Sequence, residues 1–238
     1  MYDILEKWRK VEEDVGQIPP PPDGGPPPFS KGGPPAAERQ GDNKERFRQI
    51  QEELKHALNT AGWDGRWYKR AYNDEGVAIG SIENEECRID SISQSWGVIS
   101  NAADNDKKYI SMESLENHLI DTENGIIKLL DPPFNKSKIK PGYIKSYLPG
   151  VRENGGQYTH AAIWAIIAAS YLGFGDKALE YYRMINPIEH ARTKEAAKKY
   201  KAEPYSIAAD VYGAGNLIRK RRMDMVYRFK QLVFKSAE

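Results

Sequence analysis

Apolar residues recur at helical spacing in five parts of the chain between residues 42 and 185, and also in residues 1–18, which could form a short amphipathic helix. The first part is bounded by a helix cap at Asp42 and a stop at Gly62. Its apolar face consists of Phe47, Ile50, Leu54 and Leu58. The other predicted helices begin at Asp90 or Ser91, run from about Asp106 to Leu119, and cover Ala161–Leu172 and Asp176–Ile185. Little strand is predicted between them.

The helix at Ala161–Leu172 is apolar on nearly every side, which predicts a central position. A loop over residues 121–150 precedes it, and ordered loops longer than about 12–15 residues are often functional. Tyr143, Lys145 and Tyr147 of this loop are available to line a cleft. The alternation of helix, long loop and more buried helix predicts an all-α fold with two concentric layers, minor β structure and long loops at one mouth.

The composition changes before Asp42. Proline and glycine dominate Pro19–Pro35, which favours extended polyproline or loose coil and cannot bury a core. A ligand for a proline-binding module is the alternative for this segment. We therefore predict a linker over residues 1–41, an ordered domain over residues 42–212, and a basic helical tail over residues 213–238.

Charge and cysteine content narrow the function classes. The 238-residue chain has a net charge of +1, so no global field attracts nucleic acid. Cys87 is the only cysteine, which excludes an internal disulfide and a cysteine-based zinc site. No apolar run reaches the roughly 20 residues that span a bilayer, so we predict no membrane span in this chain and a cytoplasmic location.

The candidate chemistry is concentrated in Val151-Arg-Glu-Asn-Gly-Gly-Gln-Tyr-Thr-His160, directly before the central helix. Paired glycines permit tight turns and close approach of a ligand to the main chain. The side chains predicted to converge on a hydroxyl-rich or anionic ligand are Arg152, Glu153, Asn154, Gln157 and His160. The alternative is a polar loop in which Thr159 caps the helix.

A second candidate is the aromatic segment Trp63-Asp-Gly-Arg-Trp-Tyr-Lys-Arg-Ala-Tyr72. Sugar rings stack on aromatic faces and need donors and acceptors for their hydroxyls, so aromatic and charged residues together favour sugar binding. The alternative is a strand with an amphipathic edge.

Seven segments, in a fixed order, resemble the catalytic domain of glycoside hydrolase family 94. They are Trp63-Asp-Gly-x-Trp-Tyr-x-Arg-Ala-Tyr72, Asn84-Glu-x-Cys-Arg-Ile-Asp-Ser-Ile-x-Gln-Ser-Trp96, Pro141-Gly-Tyr-Ile-Lys145, Gly150-Val-Arg-Glu-Asn-Gly-Gly-Gln-Tyr-Thr-His160, Asn186-Pro187, His190-Ala-Arg-Thr193 and Glu203-Pro-Tyr205. The resemblance covers about Asp42 to Tyr212. This family includes disaccharide phosphorylases and the C-terminal domain of cyclic β-1,2-glucan synthases, and the likeness is greatest to the synthase branch.

The resemblance implies an (α/α)6 barrel, of which this chain holds a part. It also implies inverting phosphorolysis of a β-glucan or gluco-oligosaccharide, with β-1,2 linkages expected, giving α-glucose 1-phosphate. Inorganic phosphate is then a co-substrate that replaces the water and general base of an inverting hydrolase, and one carboxylic acid protonates the departing oxygen. No cofactor and no metal ion are implied.

The resemblance also assigns residues. Glu153 resembles the carboxylate that binds the sugar on the non-reducing side, and His160 resembles the phosphate-binding histidine. The remaining predicted substrate-binding residues are Arg70, Asp90, Gln94, Trp96 and Arg152.

The chain departs from the family pattern at two motifs. The Asp-Trp-Asn-Asp motif with the general acid and the Trp-Tyr-Thr-Gly phosphate-binding turn are both absent. No catalytic residue is therefore assigned, and a frameshift or truncation is expected to have left the middle of the domain. Loss of a general acid lowers the rate by on the order of 10²–10⁴.

The expected partners include a complementary fragment or a second copy of the chain. The alternative functions are a non-catalytic glycan-binding or helical interaction module and an inverting hydrolase. The hydrolase would need a water-activating carboxylate such as Glu189 or Asp90.

Overall fold

The computed structural model of the protein describes residues 36–212, with side chains described from residue 43. Helices hold more of these residues than strands, and each strand is two residues long. The prediction of a mostly helical fold with minor β structure is therefore confirmed. The chain divides into two units, Met1–Leu54 and Lys55–Glu238, and the candidate site lies wholly within the second.

The helices are named in chain order. They are α1 (Ala36–Asn59), α2 (Ser91–Ile99), α3 (Asn105–Leu119), α4 (Thr159–Tyr171), α5 (Gly175–Ile185), α6 (Pro187–His190) and α7 (Lys194–Tyr200), with a 3-10 turn at Gly142–Ser146. The described strands form antiparallel pairs: β1 (Ala71–Tyr72) with β2 (Ala78–Ile79), β3 (Ile89–Asp90) with β6 (Leu130–Asp131), β4 (Ile120–Asp121) with β5 (Ile126–Ile127), and β7 (Gln157–Tyr158) with β8 (Asp210–Val211).

The boundaries of α2 to α5 lie within two residues of the predictions, whereas α6 and α7 were not predicted and the start of α1 differs. This helix begins at Ala36, so Asp42 lies inside it and the predicted cap is wrong. The run Ala-Ala-Glu-Arg-Gln that follows Pro35 consists of good helix formers, and it extends the helix upstream. The linker was predicted over residues 1–41: residues 1–35 lie outside the described residues, and residues 36–41 belong to α1, so the predicted boundary is wrong. The predicted basic tail from residue 213 also lies outside the described residues.

The centre of the second unit is α4, which packs against both α2 and α5, while α3 packs on α2. The side chains that α4 buries are mostly alanines: Ala161, Ala162, Ala165, Ala168 and Ala169. Small side chains let neighbouring helices approach closely and fill the interior without voids. The predicted central position of this helix is confirmed.

Leu129 joins the starts of α2 and α4. Its carbonyl accepts from the Ser91 amide at 2.8 Å, and its own amide donates to the Gly156 carbonyl at 2.9 Å. Ser91 is the first residue of α2, and Gly156 lies three residues before α4. The N-terminal ends of both helices therefore lie at the same end of the unit.

The long loop before α4 is held by Glu86. Its carboxylate accepts the backbone N–H groups of Asn135, Lys136 and Ser137 at 2.7, 2.8 and 3.0 Å. The loop is therefore ordered over a stretch that has no regular secondary structure of its own. In residues 36–212, no helix is long and apolar enough to cross a membrane.

Candidate active site

Two glycines shape the turn before α4. Gly155 has φ +83°, and a Cβ there would lie 2.9 Å from the Pro133 Cβ. A Cβ on Gly156 would lie 3.0 Å from the backbone nitrogen and oxygen of Arg152. Only glycine fits at these two positions, because the turn packs closely against the long loop.

The two carboxamides of this stretch serve the scaffold. Asn154 is fully buried, and it bonds to both backbone groups of Phe134 and to the Tyr147 carbonyl at 2.7–2.8 Å. Gln157 is also buried and accepts from the Ile127 amide at 2.8 Å. The prediction that Asn154 faces a ligand is wrong, because its polar groups complete backbone hydrogen bonding, whereas a ligand contact of Gln157 stays a prediction.

Glu153 differs from both carboxamides. Its side chain is 17 % exposed, and its Oε2 is buried without a hydrogen-bond partner among the described residues. The Nε of Arg152 lies 3.8 Å from this oxygen, which is an ion-pair contact but too long for a hydrogen bond. A carboxylate oxygen in this position can accept a hydrogen bond from a bound hydroxyl.

Arg152 connects this carboxylate to two tyrosines. Its guanidinium lies 5.2 Å from the ring centre of Tyr147, the loop residue predicted to line a cleft. A hydrogen bond to the Tyr158 phenol raises the pKa of the guanidinium, and Tyr147 adds to this effect. Arg152 therefore stays a cation beside Glu153 at all ordinary pH values.

A series of aromatic rings in contact connects Tyr158 with α2. His160 lies 4.6 Å from Tyr158 and 4.8 Å from Trp164, both edge-to-face. Trp164 lies 5.3 Å from Trp96 of α2 in the same type of contact. Edge-to-face contacts orient neighbouring rings, so the predicted residues Arg152, Glu153, His160 and Trp96 belong to one connected group.

The start of α4 has no side-chain cap. Its N-cap residue is Tyr158, and Thr159 uses its hydroxyl to donate to the Ala208 carbonyl at 2.6 Å. The predicted cap by Thr159 is wrong, because β8 and the residues before it lie close enough to take this hydroxyl. His160 is exposed on the first turn, where the helix dipole favours an anion, although the Thr159 N–H is already bonded to the Ala209 carbonyl at 3.0 Å.

Asp90 and Arg70 form a separate, buried pair. Asp90 is fully buried and caps α2, accepting from the amides of Ile92 and Ser93 at 2.9 and 3.4 Å, so of the two predicted starts, Asp90 and Ser91, Asp90 is the cap. Its other oxygen pairs with the guanidinium of Arg70. This arrangement fixes the aromatic segment to the start of α2, and a contact of either residue with a substrate stays a prediction.

Gln94 has a similar bracing role. It is fully buried, accepts from the Tyr68 amide at 2.8 Å, and donates to the carbonyls of Tyr68 and Asp90 at 2.9 Å. Both amide hydrogens are therefore engaged with the backbone. Its predicted contact with the substrate is untested.

The aromatic segment contributes mainly to the core. Trp67 and Tyr68 are buried, and the Trp67 indole donates to the carbonyls of Gly80 and Arg88 at 3.1 and 2.8 Å. The prediction that this segment presents aromatic faces to a sugar is wrong for these two residues.

Sequence reasoning did not single out Tyr158 or Trp164 as site residues. A signal was available for Trp164, because it lies four positions after His160 on a helix, and such side chains meet on one face. Tyr158 has no comparable signal, since its role depends on the fold of the turn.

The chain is similar to proteins of one known family. Residues 36–221 match the catalytic domain of the glycosyl hydrolase 94 superfamily. The chain is 48 % identical over 166 residues to the cyclic β-(1,2)-glucan synthase NdvB of Rhizobium meliloti strain 1021, covering 70 % of this chain and 6 % of that protein.

Two phosphorylases are also similar. Solabiose phosphorylase of Paenibacillus borealis is 32 % identical over 163 residues, covering 68 % of this chain and 21 % of that protein. N,N'-diacetylchitobiose phosphorylase of Vibrio proteolyticus is 30 % identical over 162 residues, covering 67 % and 20 %. The chain spans about a fifth of these two relatives and less of the synthase. Since the family match covers most of its length, the chain belongs to the glycosyl hydrolase 94 superfamily.

Proposed function

We propose that this chain supplies the sugar-binding and phosphate-binding part of a site that cleaves a β-glucan by inverting phosphorolysis, giving α-glucose 1-phosphate. The observation that carries the proposal is the connected group from Glu153 to Trp96 at the start of α4, with one carboxylate oxygen buried and lacking a hydrogen-bond partner among the described residues. β-1,2-Linked glucan is the proposed substrate, because the synthase shares 48 % identity with the chain.

The proposed partner of Glu153 is a sugar hydroxyl. An unsatisfied buried acceptor is unfavourable by about 1–3 kcal/mol, and by more when it is charged. A hydroxyl that donates to Oε2 removes this penalty, so the site favours a hydroxyl-rich ligand. Arg152 stays charged beside it and can donate to the same ring.

The proposed partner of His160 is inorganic phosphate. The imidazole lies exposed on the first turn of α4, and no side chain caps this turn. Helix N-termini bind anions through free N–H groups and the dipole. A phosphate oxygen held here would stand in for the water of an inverting hydrolase.

Phosphorolysis also needs a carboxylic acid to protonate the departing oxygen. The sequence lacks the Asp-Trp-Asn-Asp motif, so we propose that this chain binds ligands and turns them over weakly unless a complementary fragment or a second copy supplies the acid. We also propose that the chain forms part of an (α/α)6 barrel. In this barrel α2 and α4 are inner helices, and α3 and α5 are outer helices. A cytoplasmic location stays a prediction.

Calorimetry with a β-1,2-gluco-oligosaccharide tests the sugar site. We expect Glu153→Gln to weaken sugar binding by roughly tenfold or more, because hydrogen bonds to charged groups are worth about 1.5–3 kcal/mol. Equal affinity of both proteins would contradict the role of Glu153. Absence of any sugar binding would favour the interaction module.

Phosphate binding has its own test. We expect phosphate to raise the melting temperature of the native chain, and we expect His160→Ala to remove most of that rise. His56→Ala changes an exposed histidine of α1 and serves as the matched control. An undiminished phosphate effect in His160→Ala would contradict the assignment.

Turnover is measured as α-glucose 1-phosphate released from β-1,2-glucan and phosphate. We expect a rate lower than that of a phosphorylase with its acid in place by on the order of 10²–10⁴. Sugar binding with no release at all fits a non-catalytic glycan-binding module. Fast release would show that another carboxylate serves as the acid.

A further inference from the structure

A cleft of about 290 Å³ lies between α3, α4 and α5, away from the candidate active site. None of the predicted site residues lines it. His160 is at the start of α4, whereas the cleft reaches Ala169, nine positions further, or about 13 Å along the axis. Its volume is close to the lower end of the range for small-molecule sites, roughly 300–1,000 Å³.

Aromatic side chains form one part of its lining. Tyr109 of α3 is 51 % exposed, and its ring lies edge-to-face with Phe174 at 5.9 Å between ring centres. The Nζ of Lys177 lies 5.8 Å from the Phe174 ring centre. An exposed phenol ring next to a cavity offers the apolar surface on which the C–H face of a pyranose stacks.

Polar groups of both signs line the remainder. Glu116 of α3 forms an ion pair with Lys177 of α5, and both side chains are partly exposed. Glu113 lies one turn before Glu116 on the same helix and is exposed. The cleft therefore offers carboxylate acceptors and an ammonium donor together.

Tyr181 is the buried polar member of the lining. It is 2 % exposed, and its hydroxyl has no hydrogen bond within residues 36–212. Burial raises the pKa of this phenol, with a further contribution from Glu116, so it stays protonated at neutral pH. A hydroxyl without a protein partner beside a cleft is available to a ligand or to water.

The polar groups of this cleft match hydroxyl groups. The ammonium of Lys177 is already paired with Glu116, the carboxylates can accept hydrogen bonds and the ammonium can donate them. We infer that the cleft is a second sugar-binding site, which takes a pyranose ring of a neutral oligosaccharide independently of Glu153 and His160. The choice of a glucose-based probe rests on the proposed function, and the preference for a neutral, hydroxyl-rich ring does not.

NMR titration of the chain with a β-1,2-gluco-oligosaccharide tests this inference. We expect shifts at the amides of Tyr109, Glu113, Phe174 and Lys177. Tyr181→Phe removes only the unpartnered hydroxyl, so we expect affinity at the cleft to fall roughly five- to tenfold with an unchanged melting temperature. Tyr109→Ala should weaken cleft binding by a similar factor, and it changes a half-exposed residue.

The matched control is Tyr182→Ala, which changes a tyrosine of α5 that is 50 % exposed and does not line the cleft. Glu153→Gln should leave the cleft shifts unchanged. Shifts at the cleft alone would support this inference and contradict the proposed sugar site at Glu153. Shifts near Glu153 alone, equal affinity in Tyr181→Phe and Tyr109→Ala, or the same shifts with glycerol at equal hydroxyl concentration would overturn it.

Discussion

Asn154 shows how one side chain can hold a loop that has little regular structure. Its amide group meets the amide and carbonyl of Phe134 and the carbonyl of Tyr147, 20 and 7 positions away in the chain. The two Phe134 groups are buried backbone groups that these bonds pair, and the Tyr147 carbonyl is partly buried. Asn154 therefore holds the long loop against the turn that carries Glu153.

We expect Asn154→Ala to lower the free energy of unfolding by about 2–4 kcal/mol, because it leaves buried backbone groups unpaired. Chemical denaturation measures this change. Asn135→Ala, at an exposed position of the same loop, should stay within about 0.5 kcal/mol of the native protein. Equal effects of the two substitutions would contradict the bracing role.

Glu86 gives the same loop a dependence on pH. Burial alone would raise the pKa of Glu86, but three backbone N–H donors and Lys145 outweigh it and lower the pKa. When the pKa of a carboxyl group is lower in the folded than in the unfolded state, the group stabilises the fold. This stabilisation is complete at pH values above the unfolded-state pKa, about 4.3, and it is lost as the pH falls through the folded-state pKa.

We expect Glu86→Gln to lower the free energy of unfolding by about 1 kcal/mol at pH 7, after allowance for solvent screening, and to have little effect near pH 3. Denaturation at both pH values measures the difference. Glu85→Gln changes the exposed neighbouring carboxylate and should show no such dependence. A constant difference between Glu86→Gln and the native protein across this range would refute the assignment.

At the level of elements, the turn before α4 sets the position of the site. Gly155 needs both a positive φ and the absence of a Cβ, since Pro133 lies against it. β7 then pairs with β8, and Leu129 joins the turn to the start of α2. The first turn of α4 therefore meets α2 with His160, Trp164 and Trp96 in contact.

We expect Gly155→Ala to lower the free energy of unfolding by about 2–4 kcal/mol, because it adds a clash to an unfavourable φ. Gly76→Ala is the matched control, because Gly76 has φ +76° and open space where the Cβ would lie. This substitution should lower the free energy of unfolding by about 1–2 kcal/mol. Thermal denaturation compares the two variants. Similar losses would show that the contact with Pro133 is unimportant.

At the level of the whole molecule, α4 is a core helix whose described neighbours cover only part of it. Its alanines are buried, whereas Ile163 is 39 % exposed and Tyr171 is also exposed. Leu179 and Tyr182 of α5 are exposed as well. Apolar side chains on a central helix are typical of a surface that packs against further protein.

We expect the chain to self-associate in a concentration-dependent way, and we expect Ile163→Lys to shift it towards monomer. Sedimentation velocity over a range of concentrations measures this. Ser170→Lys adds the same charge at an exposed polar position of α4 and is the control. A chain that stays monomeric at all concentrations, or equal shifts in both variants, would contradict the prediction.

Local patterns were sufficient for much of the fold. The helical periodicity located α2 to α5, and the cap at Asp90 followed from its position before an apolar run. The Gly-Gly step marked the turn at residues 155–156, and the order of seven short motifs indicated the superfamily. These features depend on residues close together in sequence, so the sequence by itself determined them.

The roles of the polar residues depended on tertiary structure. The side-chain oxygen of Gln94 accepts from the amide of Tyr68, 26 residues away, and that of Gln157 accepts from the amide of Ile127, 30 residues away. Both oxygens are therefore bonded to distant backbone groups. Within residues 36–212, Glu153 keeps one oxygen without such a partner, and the Tyr181 hydroxyl makes no hydrogen bond beside a cleft that three helices form. The types of these side chains are visible in the sequence. Whether a polar group is paired or available depends on which distant backbone groups the fold brings within hydrogen-bonding distance, and only the tertiary structure decides that.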